Sequence, residues 1–193
     1  HLRPGCQGVA RTCAPGHTRT MTTSAEDRTL ILLRHADPEP GRAGQDDRER
    51  PLSDLGRDQA QDLGRWLREQ GLGCDEVMCS PSLRTRETMQ ELAAAGCPEA
   101  EVQIEHRLYN GDAEDVLSVI RGSTNDASVL LVVGHAPGLP AAASLLADGE
   151  GSEEAHDRLS DGFPPGAAAV LRFSGHWEDL AFGAAALDDF RTP

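Results

Sequence analysis

Two segments of the chain are apolar without interruption, and each ends in a histidine. Residues 29–33 lead into Arg34 and His35, and residues 128–133 lead into Gly134 and His135. A short apolar run without alternation, stopped by Pro38 and Pro40 in the first case and Pro137 in the second, predicts a strand buried on both faces, as in a parallel sheet. After the first strand, residues 37–50 are charged, glycine-containing and aperiodic, which predicts a loop. Ser53 then has the place of an N-cap, and Leu55, Leu63, Trp66 and Leu67 lie near one face of a helix ending at Gly71. A second strand over residues 76–79 meets Ser80-Pro81, where the serine can cap and the proline can take the first position of a helix over about 82–95. Residues 102–104 predict a short strand, and residues 112–120 a helix with Val116, Leu117 and Ile120 inward. Pro137 and Pro140 open a further helix to about Leu146. Residues 148–166 are acidic and rich in Gly and Pro, which predicts a mobile loop. Residues 167–173 and 178–182, joined across Ser174-Gly175, predict a closing β-hairpin.

Strands that alternate with helices imply an α/β fold: a mainly parallel central sheet covered by helices on both faces, with a site at the C-terminal ends of the strands. Along that edge Arg34-His35 and Gly134-His135 can meet although a hundred positions separate them. A chain of 193 residues has room for one full core. The expected organisation is a single domain over residues 28–193 behind an N-terminal extension, 1–27, that is expected to be disordered. Residues 1–20 hold three arginines and no acid, with Pro and Gly scattered among them, and Met21 reads as the translation start.

Charge narrows the partners. The formal charge of −14 sets a long-range field that repels polyanions, so nucleic acid and anionic membranes are excluded as partners, and phosphate must be gripped locally. All 18 basic residues are arginine. The absence of lysine removes P-loop, Schiff-base and kinase-lysine chemistry, and arginine grips phosphate through its planar fork. Five cysteines without a CxxC pair fit thiols in a reducing compartment, hence the cytoplasm. No apolar run approaches the length of a membrane span. His106, His156 and His176 sit in polar surroundings without metal-ligand spacing and read as surface residues, so no metal and no cofactor are expected.

The residues around the two histidines form an ordered series: Leu33-Arg34-His35-Ala36, then Asp47-x-x-Arg50-Pro51-Leu52-Ser53-x-x-Gly56, then Ser80-Pro81-x-x-Arg84-x-x-x-Thr88, then Leu108-Tyr109, then Gly134-His135-x-Pro137. Over about residues 29–187 the sequence resembles the histidine phosphatase superfamily, which is phosphoglycerate mutase-like, and within it the small bacterial SixA-type phosphohistidine phosphatases. The resemblance implies a three-layer sandwich and a phosphatase that takes a phosphoryl group onto His35, with Arg34, Arg84 and His135 as the phosphate clamp. Electrostatics supports that division, because a phosphoryl dianion needs fixed positive donors that strengthen as its oxygens gain charge. Positive neighbours also lower the pKa of His35, keeping it neutral, and a bound dianion should raise that of His135.

Arg86 lies about 200° around the helix axis from Arg84, so the two cannot share a pocket, and Arg86 reads as solvated. Asp47 and Arg50 read first as a loop ion pair, with Arg50 as a possible rim contact. Ser53 reads as a helix cap. The acidic run at 148–157 reads as a solvated loop.

Many superfamily members use a carboxylic acid to protonate an alkoxide leaving group, and no residue here matches it; Glu105 by order and Asp37 by proximity are the candidates. An imidazole leaving group needs less proton donation, which favours phosphohistidine on a protein as substrate. The alternatives are a phosphomonoesterase acting on a small metabolite and a non-catalytic phosphate or phosphoprotein-binding module. The sequence leaves the oligomeric state open.

Overall fold

The computed structural model describes residues 26–96, 100–124 and 126–193. Of the extension expected over 1–27, residues 1–25 lie outside the described residues. Strand β1 (Asp27–Arg34) begins one residue ahead of the boundary expected. The remaining strands are β2 (Glu76–Cys79), β3 (Glu101–Ile104), β4 (Val129–Gly134), β5 (Ala147–Gly151), β6 (Ala168–Ser174) and β7 (Ala185–Arg191). The helices are α1 (Asp54–Glu69), α2 (Leu83–Gly96), α3 (Ala113–Arg121), α4 (Gly138–Leu146) and α5 (Glu153–Asp161).

All seven strands join one sheet in the order β3-β2-β4-β1-β6-β7-β5. Strands β3, β2, β4 and β1 are mutually parallel, and among the described strands only β6 runs against the rest. The apolar run of β1 serves both faces at once. Leu30 and Leu32 pack toward α3, α4 and α5, while Ile31 and Leu33 pack with Leu63, Leu67 and Leu92 of α1 and α2. That is why the strand lacks alternation, and it makes the molecule a three-layer sandwich.

Four expectations are corrected. In α1 the inward residues are Gly56, Ala60, Leu63, Gly64 and Leu67, whereas Leu55 is 58% exposed. The stripe at i, i+4, i+7, i+8 and i+11 uses small residues where the expectation took Leu55. Helix α2 starts at Leu83 and is capped by Ser82, whose carbonyl accepts from the Arg86 amide and whose Oγ accepts from the Thr85 amide; Ser80 and Pro81 precede it.

Residues 148–166 are not one loop. Strand β5 pairs with β7, and α5 is capped by Ser152, whose Oγ accepts from the Ala155 amide. Ala155 and Leu159 supply an apolar contact on successive turns, and Glu153 and Glu154 favour the positive helix start, so an acidic segment folds with few apolar residues. The expected loop survives only over 162–166.

The second strand of the closing pair is β7, not residues 178–182. Trp177 is fully buried and donates from Nε1 to the Ala127 carbonyl at 2.7 Å, which holds the chain after Gly175 in a 3₁₀ turn. A bulge at Asp188 places Ala185, Leu187 and Phe190 inward, and this break in the two-residue period hid the strand.

Candidate active site

Parallel pairing of β1 with β4 sets Arg34 opposite Gly134, so the next residue of each strand is a histidine at one sheet edge. The His35 and His135 rings lie 5.3 Å apart between centroids and are inclined at 55°. Strand β2 is β4's other neighbour and ends one residue before Ser80. Three adjacent strand ends thus deliver His35, His135 and Ser80, and α2 adds Arg84 from its first turn.

Hydrogen bonds set the two imidazoles in opposite tautomers. His35 is 6% exposed, and its Nδ1–H donates to its neighbour's carbonyl, Ala36 O, at 2.8 Å, which leaves the Nε2 lone pair unprotonated. The Ala36 peptide is fixed in turn: its amide donates to Thr88 Oγ1 at 3.0 Å, and that hydroxyl donates to the Arg84 carbonyl at 2.7 Å. Burial pushes the His35 pKa down to about 4, against the Ala36 bond that raises it, with Arg84, Arg34 and Arg50 adding repulsion. Positive neighbours therefore rank behind burial in keeping His35 neutral.

His135 has Arg84 Nη2 at 3.4 Å from its Nδ1, so that nitrogen is the acceptor and its Nε2–H donates to Ser80 Oγ at 2.7 Å. Its pKa is lowered to about 3, mainly by burial and then by Arg84 and His35. Tyr109 stands edge-on to the His135 ring, 5.4 Å between centroids.

Arg84 is 7% exposed and Arg86 is exposed, its Nε–H donating to the Pro81 carbonyl, as the helical spacing predicts. Arg34 donates from Nη1 to the Phe163 carbonyl at 2.8 Å, while its buried Nε–H has no partner among the described residues. Burial and Arg84 both lower its pKa. Arg34 also lines a cavity of about 1010 Å³ with Trp66, Arg158, Phe163 and Arg191. A half-buried guanidinium with a buried, unused Nε–H beside a second guanidinium is suited to an anion.

Asp47 and Arg50 do form the expected loop pair, at 3.2 Å, but Asp47 also reaches into the site. Its carbonyl and Oδ2 accept from Arg84 at 2.7 and 3.0 Å, and Oδ2 accepts from the Tyr109 hydroxyl at 2.7 Å. The Tyr109 bond, then Arg84 and Arg50, hold the Asp47 carboxyl at a pKa of about 2. Arg50 donates from Nε and Nη2 to the Glu39 carbonyl.

Neither candidate acid is brought to the histidines by any bond. Asp37 Oδ2 accepts from Ser53 Oγ at 2.6 Å, and Glu105 faces Arg107 at 3.7 Å. Ser53 is the cap of α1, its Oγ accepting from the Gly56 amide, and it ties that helix to Asp37. A Cβ on Gly56 would lie 2.1 Å from the Asp37 carbonyl, so the helix can abut the strand end only with glycine there.

Sequence reasoning missed Ser80, Thr88 and Asp47 as parts of the site. Ser80 follows a strand end as the histidines do, which is the signal that could have found it; Thr88 and Tyr109 were legible as motif positions without a role. Among the described residues, no three His, Cys, Asp or Glu side chains are grouped to hold a metal, and no helix is long and apolar enough to cross a membrane.

Comparison with known proteins shows the family and the fold. The sequence profile of the histidine phosphatase superfamily (branch 1) matches residues 30–160. An uncharacterised Mycobacterium tuberculosis protein is 38% identical over 148 residues, 76% of this chain and 91% of the relative. Phosphohistidine phosphatase SixA of Escherichia coli is 27% identical over 110 residues, 56% of this chain and 67% of that protein. Among solved structures, a candidate phosphohistidine phosphatase SixA from Nakamurella multipartitia superposes with a TM-score of 0.77 at 36% identity, covering 88% of this chain and 98% of the other. A Plasmodium falciparum phosphoglycerate mutase shares the fold, with a TM-score of 0.58 at 17% identity, covering 87% and 95%. With strand-end histidines, paired arginines and these relatives together, the chain belongs to the histidine phosphatase superfamily, on its SixA-type branch, and is a phosphatase.

Proposed function

We propose that the protein hydrolyses phosphohistidine on a protein, in two steps through a phosphohistidine intermediate on His35. The observation that carries this reading is the fixed, neutral His35: Nδ1–H is committed to the Ala36 carbonyl, so the Nε2 lone pair is the one available for attack. Arg84, Arg34 and His135 act as phosphate ligands. Nε2 attacks phosphorus in line with the substrate nitrogen, the N–P bond to the substrate breaks, and its electron pair leaves on the substrate imidazole. Charge on the equatorial oxygens is met by the guanidiniums without a proton having to move. Water then attacks the phosphorus on His35, the enzyme N–P bond breaks, and orthophosphate and a proton are released. As the dianion binds, His135 gains affinity for a proton on Nδ1, where it can donate to a phosphoryl oxygen, while Nε2–H stays on Ser80.

Among the described residues, the lack of a carboxylic acid placed to donate a proton supports the N–P substrate. The carboxylate bonded into the site, Asp47, is held at a pKa of about 2 and cannot donate a proton at neutral pH. A neutral imidazole leaves without such an acid once its other nitrogen carries a proton, whereas an alkoxide does not.

Hydrolysis of a phosphohistidine-carrying protein should be compared with that of a panel of small phosphate esters, for wild type and His35→Ala. Preference for the N–P substrate, lost in the variant, is expected. Ester preference would reassign the protein as a metabolite phosphomonoesterase, and phosphate binding without turnover of either would make it a binding module.

A further inference from the structure

The loop over residues 41–50 lays a carboxylate on the guanidinium that the proposed mechanism needs for phosphate. Asp47 takes one N–H from each terminal nitrogen of Arg84: its carbonyl accepts from Nη1 at 2.7 Å and its Oδ2 from Nη2 at 3.0 Å. The same Nη2 is 3.4 Å from His135 Nδ1, so the carboxylate sits on the side of Arg84 that faces the histidines. Tyr109 OH, 5.4 Å ring to ring from His135, donates to that Oδ2 at 2.7 Å.

We propose that Asp47 is an internal anion that occupies Arg84 in the empty enzyme, is displaced when a phosphoryl group enters, and returns to help expel orthophosphate. The inference rests on the reading of Arg84 as a phosphate ligand. Its physical ground is a conflict of charges. A nearly buried guanidinium needs a counter-charge when the site is empty, and Asp47 supplies it. The same negative charge repels an arriving dianion at close range, so phosphate binds more weakly than Arg34 and Arg84 alone would hold it.

The loop can lose this charge, and with it the Asp47 bonds to Arg50 and Tyr109, and still keep other anchors. Arg50 holds the Glu39 carbonyl through Nε at 3.2 Å and Nη2 at 3.0 Å. The Arg48 guanidinium lies 4.7 Å above the Tyr109 ring, and Asp46 caps the short turn by accepting from the Arg48 amide at 2.9 Å. Asp47 itself is half exposed, so replacing it disturbs no core packing.

The test is calorimetric titration of inorganic phosphate into the wild type, Asp47→Asn, Asp47→Ala and Arg84→Ala. Asparagine keeps the shape and removes the charge; alanine removes both. The expected result is phosphate binding at least about tenfold tighter in both Asp47 variants, with KM lowered to match, and binding lost in Arg84→Ala. If Arg84→Ala loses binding but the Asp47 variants bind phosphate no tighter than wild type, Asp47 is only a brace for Arg84, and the latch is overturned while the site stands. If Arg84→Ala binds as well as wild type, or if neither wild type nor Asp47→Asn binds at all, the phosphate site itself is misplaced and the latch falls with it.

Discussion

His35 and His135 differ less in burial than in which nitrogen keeps its proton. His35 donates from Nδ1 to Ala36 and His135 from Nε2 to Ser80. Nitrogen NMR on labelled protein should therefore show two neutral imidazoles of opposite tautomer, both still neutral as pH falls past 6.5. With pKa values lowered to about 4 and about 3, they should protonate only near those values. Because the proposed attack requires neutral His35, the acid limb of kcat/KM that belongs to the free enzyme should lie near pH 4. A limb that tracks an ordinary histidine would contradict the buried, donor-locked ring. Ser80→Ala removes the acceptor for Nε2–H and should cost about tenfold in kcat by freeing the tautomer, together with about 1–3 kcal/mol of stability for the donor left without its partner. Arg84→Ala should cost about 10²–10³ in kcat, of the order of a lost oxyanion donor. Arg86→Ala, on the solvent side of the same helix, should lie close to wild type, and equal losses at the two arginines would undo their assignment.

At the scale of elements, the site depends on how closely α1 and α2 approach the end of β1. Gly56 abuts the Asp37 carbonyl and Thr88 holds the Ala36 amide, so the peptide that orients His35 is clamped between two helices. Gly56→Ala should displace the start of α1, lowering stability by about 1–3 kcal/mol, measured by denaturant unfolding, together with activity. Thr88→Val keeps the shape but strands a buried amide, at about 1–3 kcal/mol. A variant with normal stability and activity at either position would refute the clamp. Much of this layer was legible in the sequence: uninterrupted apolar runs marked β1 and β4, Ser53 marked the start of α1, and helical angle set Arg84 and Arg86 on different faces while the motif position selected Arg84. Two of the misreadings, α5 and β7, have a common cause. Helix α5 needs only Ala155 and Leu159 from the chain because β7 and the neighbouring core supply the other half of its contact, and β7 hides its period behind a bulge. Tertiary partners decided both, and a local pattern does not contain them.

For the molecule as a whole, a strongly acidic chain carries a site into which β1 brings Arg34 and α2 brings Arg84. The charge of Arg84 is met locally by Asp47, whose position could not be read from sequence because its partners Arg84 and Tyr109 are 37 and 62 residues away. The two neutral histidines, His35 buried and His135 half-buried, also tie stability to pH. Unfolded, each has a pKa near 6.5, and folded, each is well below it, so the unfolded state binds more protons as pH falls. Their contribution should be fully present above about pH 6.5 and be lost progressively as pH falls through about 4 and about 3. Unfolding titrations of His135→Gln against wild type should show a shallower acid slope in the variant; parallel slopes would contradict the lowered pKa. The claim on which everything else rests is that His35 receives the phosphoryl group. The most direct measurement is rapid acid-free quenching of the enzyme with a phosphohistidine protein, followed by mass spectrometric mapping of the phosphorylated residue. One acid-labile phosphate is expected, on His35, absent from His35→Ala along with turnover. A phosphate mapped to another residue, or a fully active His35→Ala enzyme, would contradict it.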